Sequence, residues 1–281
     1  MQLAFQASGF FCIAVLGGIL LMLLWNSIAF FTDVPLFFFL SGTVWQPENQ
    51  QYGILSLLVS TLLVTIGAMA MAIPIGIGTA LYLAEYALPV LRNWLKPAVE
   101  MLAAIPSVVI GFIGIVVINP AIMAIAKTSN GLNALNGSVL LATMALPTII
   151  TVAEDAIRAV PQAFREASYG LGASKWATLQ KIVVPAAYPG MIAAIMLGIG
   201  RAIGETMTVL MATGNAIAFP KGMLSSVRTI TANIAIEMGE VPFFSTHYYG
   251  LFATALVLFI ISFAVNFAAE KVTAHIRKFQ I

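Results

Sequence analysis

A single cysteine, Cys12, and two histidines, His247 and His275, leave this chain almost nothing from which to build a disulfide or a metal centre. Cys12 has no second cysteine to pair with, and the histidines are far apart in sequence, with no cysteine or carboxylate at metal-ligand spacing. No metal site and no metalloenzyme are expected. Charge is scarce too: Asp, Glu, Lys and Arg make up 9% of the residues, against about 25% in an ordinary soluble domain. The net charge of +2 comes without a basic cluster, which excludes nucleic acid as a partner. A nucleotide-binding G-x-x-x-x-G-K-[ST] cradle is also missing. The nearest approach, Gly-Leu-Gly-Ala-Ser-Lys at 170–175, has misplaced glycines and puts Trp176 where Ser or Thr would hold magnesium. No catalytic constellation emerges, so the chain is not read as an enzyme.

What is abundant is apolar surface, at 60% of positions. Charge-free runs cover 1–32, 49–84, 101–126, 128–153, 182–200 and 241–269, the fifth continuing past Glu205. Each can hold a span of about 20 residues. In hydrocarbon only helices and closed barrels satisfy the backbone, and these runs lack the alternation of barrel strands. The fold class is therefore all-α, with six transmembrane helices at approximately 10–31, 54–84, 98–119, 137–157, 186–216 and 247–270, forming one membrane domain over 1–281. The first run is kept as a helix rather than a signal peptide because it lacks a basic start and its apolar part is long. If the N-terminus is cytoplasmic, that side carries Arg92, Lys96, Arg158, Arg165, Lys175, Lys181, Lys271, Arg277 and Lys278, against Lys127, Lys221 and Arg228 opposite. The positive-inside rule thus places both termini in the cytoplasm.

Arg201 and Glu205 interrupt the fifth run near its middle. An arginine there costs about 2.5–3.5 kcal/mol on insertion scales and nearly always faces a protein interior or an aqueous path. On a continuous helix the two lie on one face at i and i+4, where Glu205 offsets the guanidinium when no anion is bound. Arg201, Glu205 and Thr206 are the candidate substrate path, and a planar donor fork suits an oxyanion. The rival reading is a purely structural ion pair. Pro74, Pro106, Pro147 and Gly204 are candidate helix hinges, with close helix packing as their simpler role.

The connection at 158–185 carries the most specific pattern. Glu166-Ala167, Gly172, Ile182 and Pro185 stand at the spacing of the EAA loop and resemble that signature of ABC importer permeases, with Ser168 in place of the second alanine. Pro161 can begin a helix and Gly172 supplies a permissive bend before a second short helix with Trp176 and Leu179. Arg165 and Glu166, beside Phe164 and Ala167, are expected to be exposed and to suit a groove on another protein. The stretch Gly-Arg-Ala-Ile-Gly-Glu-Thr-Met at 200–207, with Ala-Ile-Pro-Ser-Val-Val-Ile-Gly-Phe at 104–112 and Gly-Thr-Val-Trp at 42–45, is similar to phosphate-specific ABC importer permeases. Thr206-Met207 favours the PstC-type over the PstA-type subunit.

That resemblance implies an ABC type I importer fold with a cytoplasmic coupling helix made by Arg165, Glu166, Ala167 and Gly172, with Ile182 and Pro185 completing the motif. It implies no cofactor on this chain, with ATP and Mg2+ held by two separate ATPase subunits. It further implies a second permease subunit of PstA type, a periplasmic or lipid-tethered phosphate-binding protein, inorganic phosphate as substrate and the bacterial inner membrane as location. A sulfate or molybdate permease, or an ion-coupled transporter working without ATP, are the alternatives. On the outer side, Trp45 and Tyr52 are expected to anchor helices at the interface. Met223, Val227, Ile230 and Ile234 suggest a helix lying on the membrane surface. Lys221, Arg228, Glu237 and Glu240 are candidates for docking the binding protein.

Overall fold

The computed structural model describes residues 2–277; Met1 and Lys278, and the side chains of His275 and Arg277, lie outside the described part. The long α1 (Gln2–Asp33) leads through the short α2 (Leu36–Ser41) to a two-stranded antiparallel hairpin, β1 (Trp45–Gln46) and β2 (Gln51–Tyr52). Next come α3 (Leu55–Leu81), which runs on through a π-helical turn at Tyr82–Tyr86, then α4 (Pro89–Ala103) and α5 (Ser107–Ile113). A second π turn at Gly114–Ile118 joins α5 to α6 (Asn119–Ala126), and α7 (Ala134–Arg158) follows. The loop after it folds as α8 (Gln162–Gly170) and α9 (Lys175–Thr178), and a third π turn at Leu179–Val183 opens α10 (Val184–Gly204). The chain continues as α11 (Met207–Ala212), α12 (Ile230–Glu237) and α13 (Thr246–Arg277).

Among the described residues, six helical segments are long and apolar enough to cross a membrane: Gln6–Asp33, Leu55–Tyr86, Ser107–Ala126, Ala134–Arg158, Lys175–Gly204 and Thr246–Ala268. Two expected boundaries are corrected. The third segment starts at Ser107 rather than near 98, because the helix breaks before Pro106 and the preceding residues form α4. Proline lacks the N–H that would continue the ladder and disfavours a helical residue before it. The fifth was expected to run unbroken to 216. Instead α10 stops at Gly204, Glu205 is extended at φ −71° and ψ 133°, and α11 starts afresh.

α4 reverses the usual distribution of a surface helix. Val90, Trp94 and Met101 are exposed, while Arg92 and Lys96 turn inward to the carboxylate of Glu154, which is fully buried on α7. Such a helix suits the headgroup layer, with its apolar side toward acyl chains. Burial works against the Lys96 ammonium, but its hydrogen bonds to Asp155 and Glu154 and their charges prevail, raising its pKa above the ordinary lysine value.

The centre of the domain is the contact of α3, α7 and α10, with α11 against it and α1 lying along α13. Its close approach depends on small residues. Ile149 of α7 fits between Gly76 of α3 and Gly198 of α10, where an added Cβ would stand 2.7 Å and 2.8 Å from its side chain. Gly198→Val is therefore expected to lower stability by about 1–3 kcal/mol through overpacking, read as the unfolding midpoint in detergent. The combination with Ile149→Ala should cost less than the two changes summed; strict additivity would contradict this packing.

Candidate functional site

Arg201 stands in the last turn of α10, half-buried, and its Nη1 donates to Thr148 Oγ1 of α7 at 3.3 Å. The expected pairing with Glu205 is not formed: among the described residues no carboxylate lies within ion-pair distance of Arg201. The reason is the helix break, which removes the i, i+4 relation. Glu205 turns forward instead, and its Oε1 accepts from the backbone N–H and the hydroxyl of Thr208, each at 3.3 Å. Each charge thus meets the helix end that suits it, the cation at the negative end of α10 and the carboxylate at the positive end of α11. Thr206 is the residue before α11, and its hydroxyl donates to the Gly204 carbonyl at 3.5 Å.

The break is tied into its surroundings by residues that sequence reasoning missed. Thr208 is fully buried and its hydroxyl also reaches the Ser107 carbonyl at 3.1 Å, while Thr231 of α12 donates to the Glu205 carbonyl at 2.8 Å. Of the four candidate hinges, Gly204 and Pro106 stand at breaks, whereas Pro74 and Pro147 lie inside continuous helices.

The 158–185 connection folds as the expected helix, bend and helix. Gly172 takes φ +81°, a left-handed conformation that glycine adopts without strain, and Ser174 accepts from the Ala177 N–H to start α9. One expectation fails. Arg165 is not exposed but 92% buried: it is held by Glu85 Oε1, at 2.7 Å from Nη2 and 3.0 Å from Nε, and donates to the carbonyls of Ile157 and Val160. It sits on the amphipathic helix's inner side, where it adds a side-chain donor to the Ile157 carbonyl in the last turn of α7 and to the Val160 carbonyl just beyond it. Ser168 is also inward, sharing a 2.8 Å hydrogen bond with Thr178 that fastens α8 to α9. Glu166, Ala167, Phe164 and Leu171 remain exposed, as does Trp176; Ile182 and Pro185 lie at the entry to α10.

On the opposite side the expectations for the connections are corrected. Trp45 is 1% exposed, and its indole N–H donates to Glu237 Oε2 at 2.8 Å; it is a core side chain and not an interfacial anchor. The same carboxylate holds His247 Nε2 at 2.8 Å and Arg228 Nη1 at 3.1 Å. Arg228 and Glu237 therefore hold the connections together internally and present little surface for docking. Val227 and Ile230 are fully buried and Val227 bridges to Gly214, so 213–237 folds back into the domain instead of lying on a membrane surface. Its irregular backbone finds partners there, as in the Ile230 N–H to Thr61 Oγ1 bond of 3.0 Å.

Residues 72–278 match the family described as binding-protein-dependent transport system inner membrane component. The chain belongs to this family. Among its relatives, the probable ABC transporter permease protein YqgH of Bacillus subtilis is 37% identical over 80% of this chain and 74% of its own length. The phosphate transport system permease protein PstC of Mesorhizobium japonicum is 31% identical over 92% and 85%, and that of Pasteurella multocida 33% over 86% and 79%. In fold, the permease matches the MetNI methionine ABC transporter, seen inward facing, with TM-score 0.58 and 21% identity over 80% of this chain and 94% of that one. It also matches a bacterial importer of the acidic polysaccharide alginate, with TM-score 0.60 and 14% identity over 88% and 87%. The fold is thus that of ABC type I importer permeases, and the chain is a permease and not an enzyme.

Glu85 was legible only as the charge that ends an apolar run, yet it is the partner that fixes Arg165. Breaking a buried pair by removing one member costs about 3–5 kcal/mol. Arg165→Ala is expected to destabilise the permease on this scale and to detach α8 from α7, measured as the thermal midpoint and as proteolysis within 158–175. Glu85→Gln should act in the same direction; wild-type resistance in both variants would contradict the assignment.

Proposed function

We propose that this permease is one membrane-spanning half of an ATP-driven importer of inorganic phosphate. The observation that carries the reading is Arg201: a half-buried guanidinium at an interrupted helix, with a threonine hydroxyl as its neighbour and most of its donors unspent. Discontinuous helices of this kind place their ends at substrates near the middle of a bilayer. The names of the PstC relatives support phosphate as the anion. Because Glu205 caps α11, phosphate does not compete with it for Arg201 and displaces the weaker Thr148 contact instead. Glu205 remains nearby as a fixed negative charge, keeping the site a weak and reversible one.

The coupling surface is the exposed side of α8, with Glu166 and Ala167 beside Phe164, which fits a cleft in an ATPase subunit as a helix fits a groove. The complete assembly has two such ATPase subunits holding ATP and Mg2+, a second permease subunit of PstA type, and a phosphate-binding protein on the outer side. The permease lies in the bacterial inner membrane with both termini in the cytoplasm, the orientation that puts the more basic connections inside.

Arg201→Gln is expected to reduce phosphate uptake in proteoliposomes by at least about tenfold, since a charge-assisted hydrogen bond is worth about 1.5–3 kcal/mol. Assembly with the partner subunits should persist, and Arg201→Lys should recover only part of the rate because the planar fork is lost. Undiminished uptake by Arg201→Gln would end the proposal. Uptake of sulfate or molybdate in preference to phosphate would move it to a related oxyanion.

A further inference from the structure

A cavity of about 580 Å³ opens beside the coupling loop, between the ends of α3 and α7 and the starts of α4 and α8. Among the described residues its charged lining is unbalanced: Arg92, Arg158, Arg165 and Lys175 stand against the carboxylate of Glu85. Two of these cations are held in place. Arg165 is clamped to Glu85, and Arg92 donates to Glu154 at 2.7 Å. The other two make no hydrogen bond to a carboxylate among the described residues. Arg158 comes no nearer than 3.8 Å to Glu154, a carboxylate already shared by Arg92 and Lys96. Lys175 Nζ rests 4.7 Å from the centroid of the Tyr86 ring, with no carboxylate within ion-pair distance among the described residues.

The helix beside the cavity points to the same kind of ligand. One wall is the start of α4, whose exposed Val90, Trp94 and Met101 place that helix in the headgroup layer. A cleft lined by charge of one sign concentrates the field of its excess cations. Lipid phosphates lie at the same level.

We propose that this cavity binds a phosphate-bearing anion, with Arg158, only loosely paired with Glu154, and Lys175 as the adjustable donors and Arg92 and Arg165 as the fixed ones. Bound there, the anion links α7 to the bend between α8 and α9 and stiffens the coupling loop against the helices. Two sources carry this chemistry: the headgroup of an anionic phospholipid, or free phosphate from the aqueous side. The proposal is independent of what Arg201 carries across the membrane.

The test uses the assembled complex bearing Arg201→Gln, to silence the mid-membrane site, in nanodiscs of phosphatidylcholine. The thermal midpoint is measured with and without inorganic phosphate, and again in discs containing phosphatidylglycerol. A rise with phosphate in phosphatidylcholine discs assigns the cavity to the soluble anion; a rise confined to phosphatidylglycerol discs assigns it to the lipid. In either case Arg158→Gln with Lys175→Gln should weaken the apparent affinity by about tenfold or more, the loss for one charge-assisted hydrogen bond. Lys175→Gln alone, at an exposed position, should act in the same direction if the double variant assembles poorly. No rise in either disc, or a rise unaffected by these substitutions, overturns the proposal.

Discussion

Interrupting a helix inside an apolar layer leaves backbone groups without their helical partners, and most of the site follows from how this chain satisfies them. The interruption at 204–206 is closed by Thr231 on the Glu205 carbonyl and by the Glu205 carboxylate on Thr208. Those bonds need α12 beside the break, which in turn requires 213–237 to fold back among the helices. The carboxylate of Glu237, holding Trp45, Arg228 and His247, keeps that returning segment in place. The same arrangement separates Arg201 from Glu205, so the cation is left beside a neutral hydroxyl.

The face formed by the 158–185 connection uses a parallel solution. Arg165 joins Glu85, in the π turn that extends α3, to the carbonyls of Ile157 in α7 and Val160 just beyond it, and Ser168 joins α8 to α9. The exposed side of α8 is thereby fixed to the two helices that form the centre of the domain. In the proposed coupling, a push on that surface is delivered to α3 and α7 together, and α7 carries Thr148 against Arg201. Motion at the loop and the surroundings of the cation therefore share one rigid element.

Much of this was legible in the chain because a membrane imposes simple rules. Length and apolarity marked six helices, and Gly172 marked a bend whose φ of +81° requires such a residue. What escaped was tertiary in origin. Periodicity treats 186–216 as one helix, because nothing local says that Thr231 and Thr208 will supply the bonds a break needs. Composition reads Trp45 as an interfacial anchor, because its partner Glu237 lies far along the chain. Arg165 was read as exposed for the same reason: Glu85 is distant in sequence, and the EAA spacing carries no information about which face of α8 turns inward. Arginines and carboxylates closing different apolar runs were the one available signal of such pairs.

The central claim is that Arg201 and Thr148 face water and an anion rather than lipid. It is tested most directly by placing a cysteine at Thr148 in a Cys12→Ala background and treating the assembled complex with a charged, membrane-impermeant thiol reagent. The account predicts modification, slowed when phosphate is present. Modification only by a lipid-soluble reagent, indifferent to phosphate, would contradict it.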